Sequence, residues 1–169
     1  MSNALRVNSL ELLRRPGTER DVDITSEIGA LGIDDPRFGR DTPVRIELHL
    51  ESLTDGIVVK GTITTRWDGI CRRCAVESTG ELVSRVDEMY QQVPSNPDAF
   101  ELGDMLDLAP MVRELLLLDA PASPLCGPDC KGLCPTCGID LNPESCECVD
   151  EPADPRWAAL SEWQDRPQN

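Results

Sequence analysis

Six of the chain's eight cysteines lie between Cys126 and Cys148, in the order Cys126-Gly-Pro-Asp-Cys130-Lys-Gly-Leu-Cys134-Pro-Thr-Cys137-Gly and then Cys146-Glu-Cys148. No other feature limits the fold as strongly. Between Pro121 and Pro155 the larger apolar side chains are few (Leu125, Leu133, Ile139, Leu141, Val149), so this stretch builds no core of its own and needs a staple. A Cys-x-x-Cys turn brings two sulfurs to one point, and zinc takes four such ligands in a tetrahedron. Cys134-Pro135-Thr136-Cys137-Gly138 is the best knuckle. Pro135 stiffens the loop, and Gly138 lets the backbone turn beneath the metal without a Cβ clash. Cys126/Cys130 and Cys146/Cys148 compete to complete its shell. Six thiols exceed one site, so either one pair is idle or a second ion uses the upstream pair, Cys71 and Cys74. The expected cofactor is therefore structural Zn2+, as one or two ions.

Disulfides are the competing account, and they require an oxidising compartment. After Met1-Ser2-Asn3-Ala4-Leu5-Arg6 there is no apolar stretch of the signal-peptide kind. The longest apolar run, Leu115 to Leu118, is far short of the roughly 18 residues a membrane helix needs. The expected location is the reducing cytoplasm, without membrane contact, where metal is the better use of the thiols.

Charge narrows the partners. The net charge is −15, unevenly spread: residues 1–90 carry a net of −4 and residues 91–169 a net of −11. Such a surface repels phosphate, which excludes a general nucleic-acid binder and suits a basic protein partner or simple solubility. A local exception is the N-terminus, where Arg6, Arg14, Arg15 and Arg20 face only Glu11 and Glu19.

The hydrophobic pattern predicts an α+β protein: an antiparallel β meander with flanking helices, then a cysteine-rich zinc-knuckle segment. Residues 1–120 form the expected core domain, and residues 121–169 the cysteine-rich segment with a closing helix. Leu5-Arg6-Val7 starts a strand, and Ser9 caps a short helix ended by Pro16-Gly17. Asp21 to Thr25 alternates as a strand, and residues 29–43, rich in Gly, Pro and Asp, read as a loop. Val44, Ile46, Leu48 and Leu50 alternate with Arg45, Glu47, His49 and Glu51, the period of a half-buried strand. Asp55-Gly56 signals a hairpin turn into a second strand with Ile57, Val59, Gly61, Ile63, Thr65 and Trp67 on one face. Trp67 to Ile70 is expected to turn the chain into Cys71-Arg72-Arg73-Cys74. Residues 75–92 fit a strand or a helix, and the meander favours a strand. A polar linker at 94–104 precedes a helix capped by Asp107, with Pro110 in its first turn and Leu108, Met111, Val112, Leu115, Leu116 and Leu118 as its core stripe. Asp154-Pro155 caps the closing helix, Arg156 to Trp163.

The Cys71/Cys74 pair has three readings: metal ligands, a redox pair, or a loop that presents Arg72 and Arg73 to RNA phosphate or a partner carboxylate. The redox reading lacks the βαβ context such pairs sit in. His49, the only histidine, is an exposed bystander, so His-based triads and His-ligated metals are excluded. No phosphate-binding Gly-rich loop is present. Nothing argues for an enzyme or a small-molecule substrate.

The order of these parts resembles the YceD family, the large ribosomal RNA subunit accumulation proteins. The match runs from about Leu5 to Trp163. It comprises a hairpin ending in Cys71-Arg-Arg-Cys74, a Leu-rich helix, Pro124-Leu-Cys126, Asp129-Cys130-Lys-Gly-Leu-Cys134-Pro-Thr-Cys137-Gly138-Ile-Asp-Leu141-Asn142, Cys146-Glu-Cys148 and Asp154-Pro155-Arg156-Trp157-Ala-Ala-Leu160. The resemblance implies a non-enzymatic role in the synthesis, processing or accumulation of large-subunit ribosomal RNA. The partner would be that RNA or its precursor, bound directly through Arg14, Arg15, Arg72 and Arg73 or through a basic ribosomal protein. Some family members keep the pair matching Cys71 and Cys74 but lack the C-terminal cluster, which implies that the C-terminal cysteines close a site of their own. The alternatives are a zinc-ribbon interaction module in transcription or another assembly, and a thiol–disulfide protein using Cys71 and Cys74.

Overall fold

The computed structural model describes residues 5–93, 100–149 and 156. The expected closing helix lies outside the described residues except for Arg156, as does the 94–99 part of the expected linker. The architecture is α+β. Strand β1 (Arg6–Asn8) leads into helix α1 (Ser9–Leu13), followed by β2 (Glu19–Glu27), β3 (Pro43–Ser52), β4 (Gly56–Ile70), β5 (Glu77–Gln91), β6 (Phe100–Glu101), β7 (Met105–Asp107) and helix α2 (Ala109–Asp119). Strands β2 to β5 form an antiparallel meander. β6 joins its far side in parallel, and β1 pairs with β7 in a separate two-stranded sheet.

Alternation builds the meander. Val44, Ile46, Leu48 and Leu50 of β3 are buried, while Arg45, Glu47 and Glu51 point to solvent. On β4, Ile57, Val59, Ile63 and Thr65 are buried, and Trp67 packs half-buried beside them. The strand reading of residues 75–92 holds: Leu82, Ser84, Val86 and Tyr90 face inward from β5. Helix α2 and the residue before it close this face with Leu108 and with Met111, Val112 and Leu116, all buried. Leu118, placed in the same stripe by sequence, is 72% exposed because it falls on the opposite side of the helix.

Several boundaries differ from expectation. Asn8, not Ser9, caps α1: pairing of β1 with β7 keeps Asn8 extended, so its side chain accepts from the Glu11 N–H at 3.2 Å. The Ser9 hydroxyl is buried and donates to the Gly103 carbonyl at 2.6 Å. Asp107 does serve the start of α2, accepting from the Ala109 N–H at 3.0 Å, but it does so from the end of β7, with Leu108 at the cap position. Trp67 to Ile70 does not turn; these residues continue β4 in register with Glu77 to Gly80. Gly80 leaves room for the Trp67 indole, against which any Cβ would collide. Part of the expected linker is structured too. Phe100 in β6 stacks on Tyr90 with ring centroids 5.1 Å apart, and Leu102 is buried.

The expected loop at 29–43 holds a 3-10 turn, Gly29–Leu31, and contributes Leu31, Ile33 and Phe38 to the core. Arg37 fastens it. Its guanidinium grips both oxygens of Asp35 at 2.8 Å and donates to the Ala120 carbonyl at 2.8 Å and the Leu117 carbonyl at 3.3 Å, the free acceptors at the C-terminal end of α2. The Arg37 carbonyl in turn accepts from the Asp68 N–H of β4 at 2.8 Å. One residue, through its guanidinium and its carbonyl, thus ties loop, helix and sheet together.

That pair fixes an acid sensitivity. Its hydrogen bonds with Arg37 hold the Asp35 carboxyl down to about 2, against burial, which acts to raise it. A lowered carboxyl stabilises the fold above its ordinary value of 3.8, and the contribution fades as pH falls from about 4 towards 2. Urea melts at stepped pH should therefore show Arg37→Ala destabilised at neutral pH, with the deficit narrowing below pH 4. A constant deficit would show that the ion pair is not its source. A second expectation concerns Gly61, whose φ is +150° and whose missing Cβ would run into the Glu47 carbonyl of β3. Gly61→Ala should cost roughly 2–4 kcal/mol in the same melts, from strain plus the forced separation of β3 and β4.

Candidate metal centres

Two turns carry the cysteine chemistry, and they are copies of each other. In Cys71–Val76 the Ala75 N–H bonds the Cys71 carbonyl at 2.9 Å and the Cys71 N–H bonds the Val76 carbonyl at 2.8 Å. In Cys134–Ile139 the Gly138 N–H bonds the Cys134 carbonyl at 2.9 Å and the Cys134 N–H bonds the Ile139 carbonyl at 2.8 Å. Both turns need a left-handed residue after the second cysteine. Gly138 supplies it at φ +75°, and Ala75, the one described non-glycine residue with positive φ, supplies it at +58°. The first turn joins β4 to β5 and so rides on the tip of the hairpin.

Each turn receives a second cysteine pair. Cys71 and Cys74 meet Cys126 and Cys130; Cys134 and Cys137 meet Cys146 and Cys148. Within each group all four sulfurs lie within 4.8 Å of one another. Four thiolates around zinc at about 2.3 Å stand roughly 3.8 Å apart at the edges of a tetrahedron. The sulfurs of Cys71 and Cys130 are 3.8 Å apart and those of Cys74 and Cys126 3.6 Å, so the donor set fits the ion. The geometry thus divides the six C-terminal cysteines: four close on themselves, and Cys126 and Cys130 are given to the hairpin pair.

The first group is built over a long sequence separation and bolted down around its rim. The Arg72 N–H donates to the Pro124 carbonyl at 3.0 Å, the Ser78 hydroxyl to the Leu125 carbonyl at 3.2 Å, and the Leu133 N–H to the Arg73 carbonyl at 3.0 Å. Cys71, Cys74 and Cys130 are buried, and Cys126 is exposed. In the second group only Cys134 is buried, while Cys137 and Cys148 are exposed. Asn142 bridges the groups: it donates to the Cys130 sulfur at 3.5 Å and accepts from the Lys131 N–H at 2.8 Å.

The thiols' protonation follows from this crowding. Burial pushes Cys71 up, yet the backbone N–H groups of Cys126, Cys74 and Arg73 outweigh it and bring the thiol down to about 6. The N–H groups of Cys137 and Thr136 bring Cys134 to about 6 in the same way. Cys126 is pushed up to about 12, chiefly by the sulfurs of Cys130 and Cys74, and Cys148 to about 12, chiefly by Cys137. Once one thiol of a group ionises, its neighbours resist doing so unless a cation joins them.

The four arginines expected at an RNA contact are not brought together. Arg14 and Arg15 are exposed after α1, where Gly17 bonds the Ser52 carbonyl beside the β3–β4 turn. Arg72 and Arg73 sit beyond the other end of β4, and the strand from Ile57 to Ile70 separates the pairs by roughly 40 Å at about 3.3 Å per residue. Arg73 is committed to structure, donating to the Cys130 carbonyl at 2.8 Å, whereas the Arg72 side chain is exposed. His49 lies on the open face of the sheet, with Nδ1 2.7 Å from the Asp21 carboxylate, which raises its pKa. It belongs to neither cysteine group. Sequence reasoning missed Asn142 and Ala75 as parts of the centres; for Ala75 the signal was its place directly after a Cys-x-x-Cys turn.

If the two turns are equivalent, exchanging their left-handed residues has opposite signs. Gly138→Ala meets open space and should lose about 1 kcal/mol through conformation alone, and Ala75→Gly should gain up to about the same. Thermal melts at fixed free zinc measure both, and a loss in both variants would break the equivalence.

Comparison with known proteins gives a consistent result. A family profile described as large ribosomal RNA subunit accumulation protein YceD matches residues 59–162. A Mycobacterium tuberculosis protein named only as uncharacterized is 30% identical over 171 residues, 96% of this chain and 82% of its own. The large ribosomal RNA subunit accumulation protein YCED homolog 1, chloroplastic, of Arabidopsis thaliana is 24% identical over 162 residues, 75% of this chain and 50% of its own. No solved structure matches.

Proposed function

The chain belongs to the YceD family, and from that premise we propose that it is a non-enzymatic factor for the accumulation of large-subunit ribosomal RNA, with zinc as its structural ion. The observation that carries this reading is the similarity to the Arabidopsis protein named for that role, over three quarters of this chain. The site supports it: eight thiols gather into two closed four-sulfur sets with no histidine or carboxylate among them, the composition of a structural rather than a catalytic zinc site. The open face of β2 and β3 adds a second support. It carries Glu19, Asp21, Asp23, Glu27, Glu47 and Glu51 against Arg45 and His49. This surface suits a basic ribosomal protein and repels bare RNA. Direct contact with ribosomal RNA or its precursor then falls to Arg72 at the hairpin tip and to Arg14 and Arg15 at the other end. No helix among the described residues is long and apolar enough to cross a membrane; the cytoplasm is the location that goes with the proposed role.

A zinc-ribbon module in another assembly, such as transcription, is the second reading, favoured by the two knuckles of equal geometry. The test is a tagged pull-down with and without ribonuclease, joined to depletion of the protein in cells. Depletion should lower the ratio of large- to small-subunit ribosomal RNA, and the pull-down should recover large-subunit RNA or its proteins. Arg72→Glu should cut RNA recovery several-fold, with a salt dependence steeper in the parent than in the variant. Unchanged rRNA ratios together with recovery of RNA polymerase would replace this reading with the second.

A further inference from the structure

The two cysteine groups have the same knuckle but opposite surroundings. Cys71 and Cys74 close on Cys126 and Cys130 across separations of 52 and 59 residues, so this group forms only when the β4–β5 hairpin and the C-terminal segment are docked. Three of its four sulfurs are buried. Cys134, Cys137, Cys146 and Cys148 belong to one short stretch, with three of the four at least partly open to solvent. Between Cys137 and Cys146 lies Asn142, whose amide donates to the Cys130 sulfur of the other group. Its position is set by Asp140, which accepts from both its backbone and its side chain at 3.0 and 2.6 Å, and by the Leu141 N–H bond to the Gly132 carbonyl at 2.9 Å. The loop that the second group would close therefore carries a donor for the first.

We infer that the chain binds two separate zinc ions with unequal roles. The ion held by Cys71, Cys74, Cys126 and Cys130 is a slowly exchanging clasp between hairpin and C-terminal segment. The ion held by Cys134, Cys137, Cys146 and Cys148 is a readily exchanged one, and Asn142, held in its loop by Asp140 and the Leu141–Gly132 backbone bond, stays seated on the clasp after that ion leaves. Exposure gives a chelator access to the outer ion, and burial denies it to the inner one. Hydrogen bonds to a ligating sulfur lower its negative charge and its tendency to be protonated off the metal, so Asn142 is a positioning residue for the clasp. All-thiolate sets select zinc over magnesium and calcium, which need oxygen ligands. The inference rests on the structural-zinc part of the proposed function and is independent of its ribosomal part.

The experiment is elemental analysis of the full chain purified under reductant, followed by zinc transfer to a chromogenic chelator. Two zinc ions per chain should leave in two phases of equal amplitude. Cys146→Ser/Cys148→Ser should keep one zinc and lose the fast phase; Cys126→Ser/Cys130→Ser should keep one zinc and lose the slow phase. Asn142→Ala, which leaves every thiol in place, should keep two zinc ions and speed the slow phase roughly tenfold. Circular dichroism confirms that each variant keeps its sheet. One zinc per chain, a single phase for both ions, or an unchanged slow phase in Asn142→Ala would overturn the inference while leaving structural zinc intact. A chain that binds no zinc, or iron in its place, would overturn both.

Discussion

The ladder between β4 and β5 holds the molecule together. Fifteen residues of each strand pair without interruption from Gly56↔Gln91 to Ile70↔Glu77. One end of this ladder carries the core, where Ile57, Val59, Ile63, Val86 and Tyr90 lie under α2 and beside β3. The other end outruns the sheet: β3 accompanies β4 only as far as Thr64, so the last residues of the hairpin pair with each other alone. A two-stranded ribbon is marginal by itself. Here it is braced by Arg37 through the Asp68 N–H, by Trp67 lying over Gly80, and by the cysteine turn that caps it.

This arrangement explains why the C-terminal segment can do without a core. Its apolar side chains are few, and against the buried cysteines of the first group only the half-buried Leu125 packs as an aliphatic neighbour among the described residues. What it lacks in burial it recovers from backbone bonds to the hairpin tip and from four sulfurs at one point. Arg73 shows the division of labour. Sequence places it with Arg72 as a contact for a partner, but its guanidinium and its carbonyl both serve the joint between the two segments.

The parts of the fold legible in sequence are those with a local period. β3 and the first half of β4 alternate so strictly that strand, face and turn follow from residues 44–67 alone. β5 was ambiguous because Leu82, Val83, Val86, Met89 and Tyr90 satisfy both periods, and only pairing with β4 decides between them. Val83 is exposed and Met89 half-buried, the positions a helix would have buried. The role of Arg37 was not legible, since an ion pair with Asp35 two residues away gives no hint of the helix end it reaches. The division of the thiols was hidden for a similar reason: spacing identifies pairs, while the assignment of pairs to each other depends on a sheet that brings residue 71 to residue 130. The family resemblance, by contrast, could be read from the order of motifs without any of this geometry.

The overhanging ribbon also has a mechanical meaning. A strip anchored at one end and pinned at its tip is stiff only while both ends are held. Release at the tip would let its hydrogen bonds fray inward towards the Arg37 brace at Asp68, and no further than Thr64, where a third strand takes over. The cysteine turn therefore sets the compliance of a boom whose root stays rigid, and under the proposed zinc reading filling or emptying that turn would change the stiffness of the tip with the core unaware of it.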